Sequence, residues 1–177
     1  YAFGFSPGVT DVVPWTNADT NTAITATGLT LVHGASYYGA VRATDYMGHV
    51  STTAISNGIL VDTFSPTVGL PNDGSAEDLD YQGPSDTLAI YWTGDDTRQI
   101  AYYQYSVGTI AGDTNVVPWT GNETATSVVI SDFVLTHETV YYANVRAFDM
   151  AGNVSSVESS DGITADLSAP TVGWVND

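Results

Sequence analysis

The chain has no cysteine and no lysine, and its basic residues are three arginines, Arg42, Arg98 and Arg146. The missing cysteine excludes disulfide staples and thiolate metal sites. The scarcity of basic side chains excludes a phosphate-backbone interface and docking on anionic lipid, so neither nucleic acid nor membrane is an expected partner. No apolar run reaches the roughly 18–20 residues a membrane-spanning helix needs, which argues against membrane insertion. The chain opens on Tyr1 with neither a methionine nor a signal peptide, as an internal or processed piece would. Acid, by contrast, is abundant. Twenty Asp and Glu set a formal charge of −17, which favours a solvated surface that attracts cations and repels its own copies.

The 177 residues contain an internal duplication. Tyr1–Asp73 aligns without a gap on Tyr105–Asp177, an offset of about 104, with roughly 30 of about 73 positions identical. VVPWT recurs at Val12–Thr16 and Val116–Thr120. LVHGASYYGAVRATDYMG at Leu31–Gly48 answers LTHETVYYANVRAFDMAG at Leu135–Gly152. Short apolar alternations separated by Gly, Pro, Asn and Asp turns predict an all-β chain, and the period suits one seven-stranded sandwich.

The expected strands of the second copy are Thr67–Leu70, Thr87–Thr93, Ile100–Gly108, Val116–Thr120, Thr126–Ile130, a central strand within Leu135–Gly152, and Gly162–Asp166. Pro71–Asp86 reads as a loop. The first copy offers only later strands: Tyr1–Phe5, Val12–Thr16, Thr22–Ala26, Ser36–Asp45 and Gly58–Asp62. Pro14 and Pro118 suit edge strands, because proline donates nothing to a ladder. The expected division is 1–63, an incomplete domain without its first two strands; 64–168, a complete domain; and 169–177, the first strand of a further copy. Membership of a longer array explains the missing strands better than donation by another chain.

The second copy resembles a fibronectin type III domain. Trp92 ends an alternating second strand where that family keeps its core tryptophan. Leu135 lies shortly before Tyr141, in the pattern of the family's tyrosine corner. Leu31 and Tyr37 hold the matching places in the first copy. The resemblance implies tandem immunoglobulin-like, fibronectin type III-like β-sandwiches. A cadherin-like sandwich competes through VRAFDMAG, but the linker lacks the acidic and asparagine cluster of that family and Trp92 would go unexplained.

The candidate chemistry is sparse. The acidic loop gathers carboxylates, and Asp73, Asp78 and Asp80 are the candidate ligands for calcium, a hard cation that takes oxygen donors from flexible loops. A solvated acidic loop accounts for the same residues. Trp15 and Trp119, after proline on an edge strand, are candidates for stacking on sugar rings; packing over the edge is the alternative. Tyr38 and Tyr142 beside Arg42 and Arg146 predict an aromatic and cation ladder. His33 and His137 precede the tyrosine corner, and a packing role suits them better than general-base work. Asn122 and Asn153 head glycosylation sequons but also suit turns. No nucleophile elbow or zinc spacing is present.

The expected protein is therefore no enzyme. It is a structural or adhesive repeat, a stalk, spacer or filament module of a large extracellular, bacterial surface protein, with neighbouring repeats as partners. The alternatives are a module binding carbohydrate or a cell-surface protein, and an inert accessory domain of a secreted polysaccharide-degrading enzyme.

Overall fold

The computed structural model describes residues 1–75 and 77–173. The chain divides into two compact units, Tyr1–Phe64 and Ser65–Asp177. Among the described residues every regular element is a strand.

The first unit has four strands: β1 (Ala2–Gly4), β2 (Ser36–Val41), β3 (Ala54–Ile55) and β4 (Ile59–Leu60). β1 runs antiparallel to β2, with Phe3 opposite Gly39. β3 and β4 follow one another along the other side of β2. Ala2, Tyr37 and Ala40 supply the buried face. The expected strand at Val12–Thr16 is reduced to a single bridge between Phe3 and Val13. The one expected at Thr22–Ala26 is absent. The reason is a missing ladder partner: the matching strand of the second unit pairs with a strand that has no equivalent among residues 1–64.

The second unit begins with β5 (Thr67–Val68), β6 (Asn72–Asp73), β7 (Tyr81–Gln82), β8 (Leu88–Tyr91) and β9 (Gly94–Asp95). The long β10 (Ile100–Gly108) follows, then β11 (Val117–Gly121) and β12 (Ser127–Ile130). The other long strand, β13 (Val140–Asp149), precedes β14 (Glu158–Ser159) and β15 (Ile163–Ala165). One sheet has the order β11-β10-β13-β15-β7, with β14 also on β13; the opposing sheet is β12-β8-β6. β5 and β9 form a separate pair. β10 and β13 pair antiparallel along nearly their whole length.

Alternation along β8 turns Leu88 and Ile90 inward, with Trp92 just beyond, while β13 presents Tyr141, Ala143, Val145 and Ala147 to the same core. Each large side chain so buried contributes about 1.5–3 kcal/mol. Trp92 meets Tyr103 edge-on, with ring centroids 5.7 Å apart. The stretch expected as loop, Pro71–Asp86, contains β6 and β7. Their backbones find partners in β8 and β15 although their side chains show no alternation. The strand expected beyond Ala169 falls partly on residues 174–177, outside the described residues, and residues 169–173 carry no strand.

Candidate functional site: a carboxylate cluster on a repeated scaffold

Most of the polar groups shared by the two copies serve the backbone. The Tyr141 hydroxyl accepts the Thr136 N–H at 2.9 Å, and the Tyr37 hydroxyl accepts the Val32 N–H at 3.0 Å. Each phenol is thereby buried without stranding its oxygen, which is the tyrosine corner. Tyr141 is also packed edge-on against Phe133, with Leu135 at the margin of the core. Leu31 remains 46% exposed, since the first unit has no second sheet for it to cover.

His33 and His137 hold the segment that leaves the last strand of each copy. Nδ1 of His33 accepts the Thr63 N–H at 3.2 Å, and Nδ1 of His137 accepts the Leu167 N–H at 3.1 Å. An accepting Nδ1 places the ring proton on Nε2. The same Nδ1 atoms lie 3.2 Å from Asp62 and 3.7 Å from Asp166, contacts that become ion pairs only when the rings protonate. Asp45 and Asp149 close equivalent turns, with one oxygen accepting two backbone N–H groups in each. Burial pushes the Asp149 carboxyl up, but the hydrogen bonds from Asn153, Ala151 and Gly152 prevail and hold it below the usual range. The sequon asparagines are engaged as well. Asn153 donates to Asp149 at 2.7 Å, and Asn122 donates to the Ala125 carbonyl at 2.8 Å.

The arginines stack on the tryptophans rather than on the neighbouring tyrosines. Arg42 sits 4.1 Å over Trp15 and Arg146 sits 4.3 Å over Trp119. Arg146 also approaches Phe148 and donates twice to Gln104. The Tyr38 and Tyr142 ladder is thus replaced by a tryptophan and arginine pair in each unit. Alternation along the central strand could not show this, because the tryptophan comes from a different strand. Both indoles are half-buried, with one face covered by a guanidinium. A groove of about 680 Å³ opens beside Trp15, where residues 17–24 run without a ladder partner.

One polar cluster has no counterpart in the first copy. Asp73, Asp78 and Asp161 bring carboxylate oxygens within 4.8 Å of one another. Asp73 ends β6 and is fully buried, at 0% exposure. The chain then folds back on itself. The Asp73 carbonyl accepts the Leu79 N–H at 2.7 Å, and the Asp73 N–H donates to Asp78 Oδ1 at 2.9 Å. Gly74 permits the turn with φ of 134°, and a Cβ there would strike the Glu77 carbonyl. Asp161 enters from the turn between β14 and β15. Its neighbour Ser160 is pinned to β13, donating its N–H to the Ala143 carbonyl and accepting the Ala143 N–H through its hydroxyl.

Neither oxygen of Asp73 has a hydrogen-bond partner. Burial pushes its carboxyl up to about 6; the nearby Ser160 hydroxyl and Gly162 N–H pull it down without reaching full hydrogen-bonding geometry, and the charges of Asp78 and Asp161 raise it further. Among the described residues, no ion pair reaches any of the three. The sequence places Asp73 and Asp78 in this cluster but not Asp161. Asp80 lies outside it. Closure of the loop onto Leu79 turns the chain, and the Asp80 carbonyl accepts the Thr164 N–H instead.

A three-stranded sheet facing a sheet centred on β10 and β13, with a tryptophan core and a tyrosine corner, makes the second unit a fibronectin type III-like sandwich. No family model matches the chain. Over 95 residues, half of the chain, it is 37% identical to Exoglucanase B of Cellulomonas fimi, and it spans 8% of that protein's length. Among solved structures it is similar to the FN1–FN3 domains of chicken CNTN1. There the identity is 19% and the TM-score 0.39, over 81% of this chain and 48% of that one.

Proposed function

We propose that the chain is a non-catalytic spacer, made of tandem fibronectin type III-like modules in an extracellular bacterial surface protein. One observation carries this reading: most of the polar residues that recur between the copies are spent on the backbone. The recurring tyrosines, histidines, Ser51 and Ser155, Ser56 and Ser160, and Asp45 and Asp149 all bond to main-chain groups at equivalent positions. Such repetition builds a scaffold rather than a reactive centre. Neighbouring repeats are the proposed partners, and the negative surface keeps parallel copies apart.

The likeness to part of Exoglucanase B favours a second reading, an inert accessory module of a secreted polysaccharide-degrading enzyme. A third, sugar binding through Trp15 or Trp119, needs the indole faces that the arginines do not cover. A retention assay on insoluble polysaccharides and a glycan array, run beside a reducing-sugar assay, separates the three. The spacer reading expects neither retention nor hydrolysis. Retention that disappears in Trp119→Ala replaces it with the binding module, and hydrolysis by the purified chain overturns all three.

A further inference from the structure

We propose that Asp73, Asp78 and Asp161 form a binding site for a hard divalent cation of calcium's class. The spacing fits one ion. Their oxygens lie within 4.8 Å of one another. A single cation bonded to oxygens at about 2.4 Å can reach across such a separation, and carboxylates on loops suit calcium's flexible shell better than magnesium's strict octahedron. The donors are carboxylates alone, with no histidine or cysteine among them, which selects hard cations over zinc or copper.

The decisive feature is Asp73. An acidic cluster at a surface is solvated and needs no ligand, but this carboxylate is fully buried and both its oxygens lack a partner. Buried polar groups are almost always satisfied, so an unsatisfied one held beside two other carboxylates points to a missing positive charge. Asp78 and Asp161 are exposed, which leaves the outer half of the coordination shell to water. Gly74 and the Asp73–Leu79 hydrogen bond hold Asp73 and Asp78 together on one loop. Ser160, anchored to β13, fixes the position of Asp161. The ion would tie the loop after β6 to the turn before β15, so its binding stabilises the sandwich through mass action. The site lies within the second unit and does not depend on the spacer reading; an enzyme or a lectin could carry it equally well.

Isothermal titration of calcium chloride into the chelator-treated 177-residue chain at low ionic strength tests the assignment, with thermal melts in calcium and in chelator alongside. One saturable site per chain is expected, together with a rise in melting temperature of the second unit. Asp161→Asn, an exposed substitution that leaves the core alone, should weaken binding at least tenfold and remove most of the shift. Asp73→Asn should abolish both, while Asp132→Asn, another exposed acid outside the cluster, should leave them intact. No saturable heat, or heat unchanged in Asp161→Asn, overturns the site and leaves only diffuse counterion attraction to an acidic surface. Tighter binding of magnesium than of calcium overturns the choice of ion.

Discussion

Single residues show where the two copies agree in conformation and differ in chemistry. Left-handed backbone recurs at Gly8 and Gly112, Asp19 and Glu123, Gly28 and Asp132, Gly34 and Glu138, Gly48 and Gly152, and Gly58 and Gly162. The fold thus requires positive φ at these sites whichever residue is present. At the entrance to the tyrosine corner the first copy uses Gly34, with φ of 75°, and the second uses Glu138, with φ of 59°. A glutamate in that region carries strain of about 1–2 kcal/mol, part of which glycine's greater freedom in the unfolded chain offsets. Glu138→Gly should therefore raise stability by about 0.5–1 kcal/mol in a denaturant melt, and Gly34→Glu should lower it. Tyr141→Phe keeps the ring and removes the acceptor of the Thr136 N–H. It should cost about 1–3 kcal/mol, and an unchanged melt would remove the corner from this account.

Elements decide how much of this was legible in sequence. β10 and β8 announce themselves through alternation and apolar content. β6, β7 and β9 do not, because two-residue strands are set by which backbone lies alongside. Alternation along β13 assigns Asn144 to the outer face with Tyr142 and Arg146, yet Asn144 is fully buried. Its amide donates to Ser106 and to the Asp113 carbonyl, and its oxygen accepts from the Gly112 N–H and the Ser159 hydroxyl. One side chain thereby ties the turn after β10 to β13 and β14. The first unit holds apolar residues at the matching places, Ala2, Ala40 and Ile55. Asn144→Ala leaves several buried groups unpartnered at once and should cost about 2–4 kcal/mol by equilibrium unfolding. The added substitutions Ser106→Ala and Ser159→Ile, which copy the first unit, should recover part of that loss. Asp161 escaped the sequence reading for a related reason: only the pairing of β14 and β15 with β13 carries it to a loop far upstream.

At the scale of the whole molecule, net charge and the Asp73 cluster set the response to pH. The Asp73 carboxyl is raised from 3.8 unfolded to about 6 folded. Between those values the folded state holds a proton that the unfolded chain has released, so this group's contribution falls as pH rises from about 4 to 6. In chelating buffer, stability should increase on acidification from pH 7 to pH 5 by about 1 kcal/mol, and Asp73→Asn should flatten that dependence. Duplication also creates a hazard in folding, because neighbouring repeats with similar strands exchange them and trap misassembled species. The Asn144 network discriminates against that exchange. A strand from the first copy brings Ala40 among the partners of Asn144 and leaves them unsatisfied, while the reverse exchange buries an amide in an apolar slot. Each copy thus rejects the other's strand, and Asn144→Ala should increase the fraction of chains that refold into swapped, slowly resolving forms, read by refolding kinetics.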